Sequence, residues 1–488
     1  MFSIQTIEIL KSLNKNELKR LGDFIKSPYF NSSKPIEKIF TIVFKSYPDF
    51  DKSALHFKKV FKKLYPSEAY NEKRMKNMYS EFSNLLRKFI GFEHLRQNSA
   101  MLDVPITAEL TARGLNKISE KLIAKSLKEN NDGLLSIADR FHYLYPLNVH
   151  HTHNLGYLRE HGTPEYLKAD VELIEKLIIF FLTNIHQLSF YDVTNNQVFK
   201  MPENPILKIV VNSIDTEKIL AYFDSVNHEY ASYLKIHYLF WYHTTNDIDE
   251  EKYRELKKEI LKTIRKVKKL DQNQFIVRMI HMIISKFAIK DRKFYEDVIE
   301  FAELIDDFKI FPGEDVNAFF NGPFRDIFIT AVSLKKYDWA ENFLNKYIEF
   351  VSRDLRKDSE NFCRGILSFK RGNFEESLKY FNEVKMIDIV EKLNVRFYYI
   401  MNYIELKSYE SALSALHSFK QFMMESDAIP EMFSERVKNS LKYFAELIRC
   451  EEKGEKISEW VYKEFKQTAG LVHKQYLLEK IEKLIQPF

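Results

Sequence analysis

The sequence predicts an all-α protein, a helical N-terminal unit followed by an α-solenoid of helical hairpins. Three observations carry that expectation. Glycine numbers 12 and proline 13 in 488 residues, glycine at about a third of average usage, whereas β-hairpins and phosphate-binding loops need glycine for positive φ. Apolar residues recur at spacings of three and four along most of the chain, the period of one helix face. Between Asp326 and Met424 one hairpin pattern occurs three times, its turn aromatics Tyr337, Phe374 and Tyr409 lying 37 and 35 residues apart, the mark of a repeat array.

Taken in order, Asn16 to Lys26 forms an amphipathic helix halted at Ser27-Pro28, because proline lacks an N–H and restricts the residue before it. A helix from about Pro35 to Tyr47 follows, with proline suited to its first turn. Ser53 to Leu64 carries Leu55, Phe57, Val60, Phe61 and Leu64; Pro66 ends it. Asn71 is an N-cap for a helix to about Gly91 with the stripe Met75, Met78, Phe82, Leu85, Phe89. Together these form a basic domain, residues 1–98. Gln97 to Arg113 breaks the apolar period around Pro105 and is expected to be a linker. A helical middle region spans 114–210: Asn116 to His142, interrupted at Asn130-Asn131-Asp132-Gly133, then residues 165 to 189, then a loop from Asn195 to Pro205. The third region, 215–488, is expected to hold helices near 215–243, 249–268, 273–289, 292–308 and 314–335. The three repeat copies follow, and a pair at 433–451 and 456–485 caps the array.

Each copy has its turn aromatic, then a small residue three on (Ala340, Ser377, Ala412), then a large apolar one four further (Leu344, Phe381, Leu416). The small residue lets two antiparallel helices approach, and the aromatic fills the wedge below. The second copy, Phe362 to Phe381 with Gly365 and the turn Gly372-Asn373-Phe374, resembles a tetratricopeptide repeat; Phe328 and Ile400 stand where the first and third copies would carry the small residue of their first helix. The layout also resembles bacterial proteins with a helical N-terminal unit and a repeat-like C-terminal half. The resemblance implies protein binding in a concave groove lined by the first helix of each hairpin. By position that groove would comprise Arg325, Ile329 and Val332, then Phe362, Ile366, Phe369 and Lys370, then Phe397, Met401, Ile404 and Glu405. The Lys/Asn/Arg carboxylate clamp of some such arrays is absent from these positions. These residues are either core covered by the chain itself or a groove for an amphipathic or apolar segment.

Cys363 and Cys450 stand alone, which excludes a disulfide framework and a thiolate zinc site and suits a cytoplasmic protein. Met1 to Lys15 lacks the pattern of a signal peptide. The longest apolar run, Leu177 to Leu182, is far short of the roughly 20 residues that span a bilayer, so no membrane partner is expected. The net charge of +5 is uneven. Residues 1–98 hold 19 Lys+Arg against 10 Asp+Glu, a net of +9, so the remainder (55 against 59) carries −4.

No P-loop, dinucleotide fingerprint, nucleophile elbow, HExxH or EF-hand loop is present, so no catalytic residue, cofactor or metal is expected. Five histidines, His142, His150, His151, His153 and His161, crowd one stretch. They lack carboxylate or thiolate ligands at helical spacing, and His150-His151-Thr152-His153 reads as a polar interhelical loop. Asp247 to Glu251 supplies the N-cap and first-turn charges of the helix that follows. Lys58, Lys59, Lys62 and Lys63 project from a helix whose other face is apolar; Lys73, Arg74 and Lys76 open the next one. This order loosely resembles winged-helix units, without the strands of a wing after it. The leading expectation is a non-enzymatic, protein-binding scaffold. The alternative is a nucleic-acid-binding regulator that uses the lysine-rich face, with the repeats as sensor or dimeriser. A third is an enzyme with an unrecognised helical site.

Overall fold

A computed structural model of the chain describes residues 2–51, 53–97, 99–129, 136–158, 160–199, 202–288, 291–310, 321–385, 389–426, 429 and 431–485. The chain is 80% helical, with 24 α-helices and no strand among the described residues. One isolated bridge, Ile457 with Ile485, is the sole β pairing there. Two compact units divide the chain: Met1–Gly133 with Tyr143–Leu173, and Leu134–His142 with Ile174–Phe488.

The first unit begins with the helices Ile4–Ser12, Lys15–Lys26, Lys34–Phe44, Phe57–Leu64 and Glu72–Gln97. Local chemistry fixes their starts. Asn14 accepts from the Glu17 amide at 3.0 Å while Glu17 Oε2 accepts from the Asn14 amide at 2.8 Å, a reciprocal capping box. Asn71 caps as expected, accepting from the Arg74 amide. The expected stripe closes the core: Met75, Phe82 and Phe89 are buried with Leu18, Leu21, Val60 and Phe61. Gly22 permits the close crossing of the second and third helices, since a β-carbon there would stand 2.6 Å from Phe40 Cε1.

Two expectations fail in this unit. Residues 99–112 form the helix Ser99–Ala112 with Pro105 inside it, not a linker. That helix packs along Asn116–Glu129, and tertiary packing outweighs one missing N–H. The histidines 150–153 lie within the helix Ile137–Tyr157 rather than a loop. Within the unit His151 Nδ1 lies 2.6 Å from Glu120 Oε1, and one residue past the run Asn154 donates to Ser119 at 2.9 Å. The expected break at 130–133 lies outside the described residues.

The helix expected at 165–189 runs on as Pro164–Phe199, the second unit taking it up at Ile174, so residues 195–199 are helical; Pro205–Asn212 follows. The span 215–243 is two helices, Thr216–Ser225 and Ala231–Thr245. Asp249 caps Glu250–Thr263 through the amides of Glu251 and Lys252, both at 3.0 Å. Next come Lys269–Met282, Tyr295–Asp307 and Asn321–Ser333; residues 314–320 of the expected 314–335 helix lie outside the described residues. The repeat region then pairs Asn321–Ser333 with Tyr337–Tyr347, Arg353–Lys370 with Phe374–Asn382, and Ile389–Glu405 with Tyr409–Glu425. Glu431–Lys453, Glu459–Gln467 and Lys474–Leu484 end the chain. The expected single helix 456–485 is broken by left-handed backbone at Gly470 and His473, with φ of 63° and 52°.

Within the hairpins the small residues are where close approach requires them: Ala340, Ser377 and Ala412 are fully buried, as are Leu344 and Phe381, with Leu416 at 1%. The turn aromatics Tyr337, Phe374 and Tyr409 are only half-buried. Each begins its second helix, so one edge of the ring stays in solvent. The wedge is filled instead by the large apolar residue two turns further on.

Candidate functional site

The first helix of each hairpin supplies the face that the repeat pattern nominated. Its residues are placed as follows. Phe362, Ile366, Phe397 and Met401 are between 0 and 2% exposed. Ile329 is half-buried and Lys370 exposed. Arg325 is internal: it forms an ion pair with Glu391, donates to Ser359 Oγ at 3.0 Å, and lies over the Phe362 ring.

Part of this face, at Phe369, Phe397 and Glu405, is met by His473 and by the helix Lys474–Leu484, which packs along Glu431–Lys453. Tyr476 lies between Arg353–Lys370 and Glu431–Lys453, its ring tilted on Phe369 at 5.9 Å and stacked on Phe444 at 6.0 Å. His473 packs on Phe397 and Tyr398 at 5.2 and 5.4 Å. Lys480 Nζ lies 2.8 Å from Glu405 and 4.0 Å from Glu451. Leu477 and Ile481, one turn apart, are fully or almost fully buried, and Gln475 accepts from Arg292 at 2.8 Å. The helix end is pinned where the Ile457 amide donates to the Leu484 carbonyl at 2.8 Å. Burial pushes the His473 pKa down to about 3, with the Lys370 charge adding to it. The imidazole is therefore neutral in this cradle. The helix seated there carries an apolar i, i+4 pair, an aromatic, and one cation set beside two carboxylates.

The lysine-rich face of the first unit is open. Lys58, Lys59, Lys62, Lys63 and Lys73 are exposed, and none forms an ion pair among the described residues. The helix of the first four, Phe57–Leu64, buries Val60, Phe61 and Leu64 on its other side. Arg74 and Lys76 are neutralised, by Glu68 at 2.8 Å and Glu72 at 2.7 Å, and Arg74 also stacks on Tyr65 at 3.8 Å. After Glu72–Gln97 comes the helix Ser99–Ala112, where a winged-helix unit would place its hairpin.

Among the described residues no group of three or more His, Cys, Asp or Glu is placed to hold a metal. His161 contacts Tyr166, and His150 is pushed down in pKa by burial and by His153. A cleft of about 180 Å³ between Tyr295–Asp307 and Tyr337–Tyr347 contains Lys346 and Asp306, which pair at 2.6 Å. The helix segment Pro164–Asn196 is long and apolar enough to cross a bilayer, although no single uninterrupted run in it approaches that length; its most apolar window is 33% buried. Ile174, Phe181 and Leu188 on it are 52, 40 and 57% exposed.

Sequence reasoning missed a buried polar set in the second unit: Asp271, Arg278, His186, His237 and His243 are all at most 2% exposed. Asp271 accepts from the Ile137 amide at 2.9 Å and from Tyr233 at 3.1 Å, and burial raises its pKa to about 6. The available signal was polar residues within Ala231–Thr245 and Lys269–Met282 at positions where the apolar stripe continues. No family, curated protein or solved structure matches this chain.

Proposed function

We propose that the protein is a non-enzymatic, protein-binding scaffold whose repeat face takes an amphipathic helix, and that its own last helix competes for that place. The observation that carries this reading is the seat of His473 and the helix after it: Tyr476 and Lys480 meet Phe369 and Glu405 of the repeat face, His473 meets Phe397, and Phe444 and Glu451 of Glu431–Lys453 complete the cradle. A partner helix would need the same chemistry: two apolar residues one turn apart, an aromatic beside them, and a lysine or arginine for the paired carboxylates. A Leu477→Asp, Ile481→Asp variant releases the internal helix. It should bind a labelled peptide of the sequence 470–485 far more tightly than the wild type does. Equal, feeble binding by both forms would defeat the reading.

A second reading has an observation of its own. Five exposed, unpaired lysines on adjoining helices suit phosphate contacts, each released counterion steepening the salt dependence. Nucleic acid or an acidic partner would use this face independently of the repeat face.

A further inference from the structure

Among the described residues Arg278, on Lys269–Met282, is the largest fully buried side chain, 2% exposed. A buried guanidinium ordinarily faces a carboxylate, because an uncompensated buried charge is strongly destabilising. Here its Nη1 meets only His237 Nδ1, at 3.1 Å. The Nε and Nη2 groups are sealed from solvent and have no hydrogen-bond partner. The rings of Phe190 and Phe240 lie 4.5 and 4.4 Å from the guanidinium carbon. Burial lowers the Arg278 pKa to about 10, which still leaves it charged at neutral pH. His237 is pushed well below its usual pKa by burial and by Arg278, so it brings no second charge.

The two unused groups are not arbitrary. Nε–H and Nη2–H leave one edge of the guanidinium in parallel, the geometry that grips a carboxylate with two bonds. Arg20 uses this same edge on Glu93, with Nε 3.0 Å from each carboxylate oxygen. In Arg278 this edge is buried with no acceptor among the described residues, and Thr183 Oγ1 and His237 Nε2, on Pro164–Phe199 and Ala231–Thr245, are likewise buried without partners there. Unsatisfied buried donors of this kind are rare, and a small bound species is one way they are satisfied.

We propose that the Nε–Nη2 edge of Arg278 is an internal binding site for a small monovalent anion, a halide or a carboxylate of formate size. Enclosure limits the ligand to a few atoms, the donors select negative charge, and the single positive charge calls for one negative one. Such an ion would tie Pro164–Phe199, Ala231–Thr245 and Lys269–Met282 together through one neutralised centre.

The test uses the full-length wild type at constant ionic strength, melted in gluconate, chloride, formate or acetate salts. Binding to the folded state alone raises Tm with ligand concentration, so chloride or formate should lift Tm by about 2 to 4 °C over the bulky gluconate. The ranking of chloride against formate identifies halide or carboxylate as the ligand. Arg278→Met should abolish the difference. Crystals of the wild type grown in bromide should show an anomalous peak within hydrogen-bond distance of Nε and Nη2, and this arm decides the matter if the variant fails to fold. Identical melting in all salts, a salt response that survives in Arg278→Met, an adventitious ion only (a bromide peak with no melting response), or no peak at that edge would each overturn the proposal.

Discussion

Phe381 occupies the space that a side chain on Gly365 would need: a β-carbon built there would stand 2.9 Å from Phe381 Cζ. Twelve residues apart from Gly365, Ser377 seals the same crossing by donating to the Gly365 carbonyl at 2.8 Å, and Asn402 donates to Ser377 Oγ at 3.0 Å from the next hairpin. This contact couples the two helices of one hairpin and links them to the following one.

Gly365→Ala should therefore destabilise the protein. Overpacking against a core ring costs about 1 to 3 kcal/mol, which exceeds or matches the roughly 1 kcal/mol of helix propensity that alanine gains. Gly91→Ala is the control. It lies in the helix Glu72–Gln97 with nothing within 4 Å of its added carbon, so it should stabilise by about 0.5 to 1 kcal/mol. Urea melts of the two variants should move in opposite directions.

The two aromatics of the second copy should differ in weight. Phe381→Ala, at a fully buried site, should cost about 3 to 5 kcal/mol. Phe374→Ala, half-exposed at the helix start, should cost about 1 to 2 kcal/mol because less area leaves water. Equal shifts of the urea midpoint would contradict this assignment of the wedge.

Stability should fall in mild acid. His186 and His243 are buried, and burial lowers both pKa values from the usual 6.5 to about 4. They stay neutral in the folded protein yet take protons in the unfolded chain below about 6.5. Stability is thus complete above that pH and declines as pH drops towards 4. His243, whose ring nitrogens have no hydrogen-bond partner, can be replaced: His243→Phe should make the decline of Tm between pH 7 and 4.5 shallower. An unchanged pH slope would show that His243 is not a contributor.

Replacing Lys58, Lys59, Lys62 and Lys63 with Gln separates the two functional readings. If that face grips nucleic acid, affinity should drop steeply and the slope of log affinity against log salt should flatten by about one unit per lost phosphate contact. If the scaffold reading alone holds, even the wild type should bind DNA or RNA only feebly at physiological salt, and fluorescence anisotropy should show no difference between the two proteins.

The sequence by itself determined the helical class, most helix positions, the cap at Asn71, the capping run that holds Asp249, and the small and large residues of the three hairpins. Each of these depends on neighbours within one or two helical turns, where propensity, capping and periodicity act. It also exposed the lysine face, because alternating charge and apolar positions on one short helix leave little choice of orientation. Tertiary structure decided the rest. Pro105 and the His150–His153 run looked like breaks, yet distant packing and partners such as Glu120 hold them in helices. The apolar residues of the repeat face carry the same pattern whether they are covered or open; only the fold-back at Gly470 and His473 brings Lys474–Leu484 against part of them. Arg278 and His237 are 41 residues apart, on separate helices, and no local rule reveals that the pair is buried without a carboxylate. That is a property of which helices meet, and burial of charge is set by the whole assembly of helices rather than by any one of them.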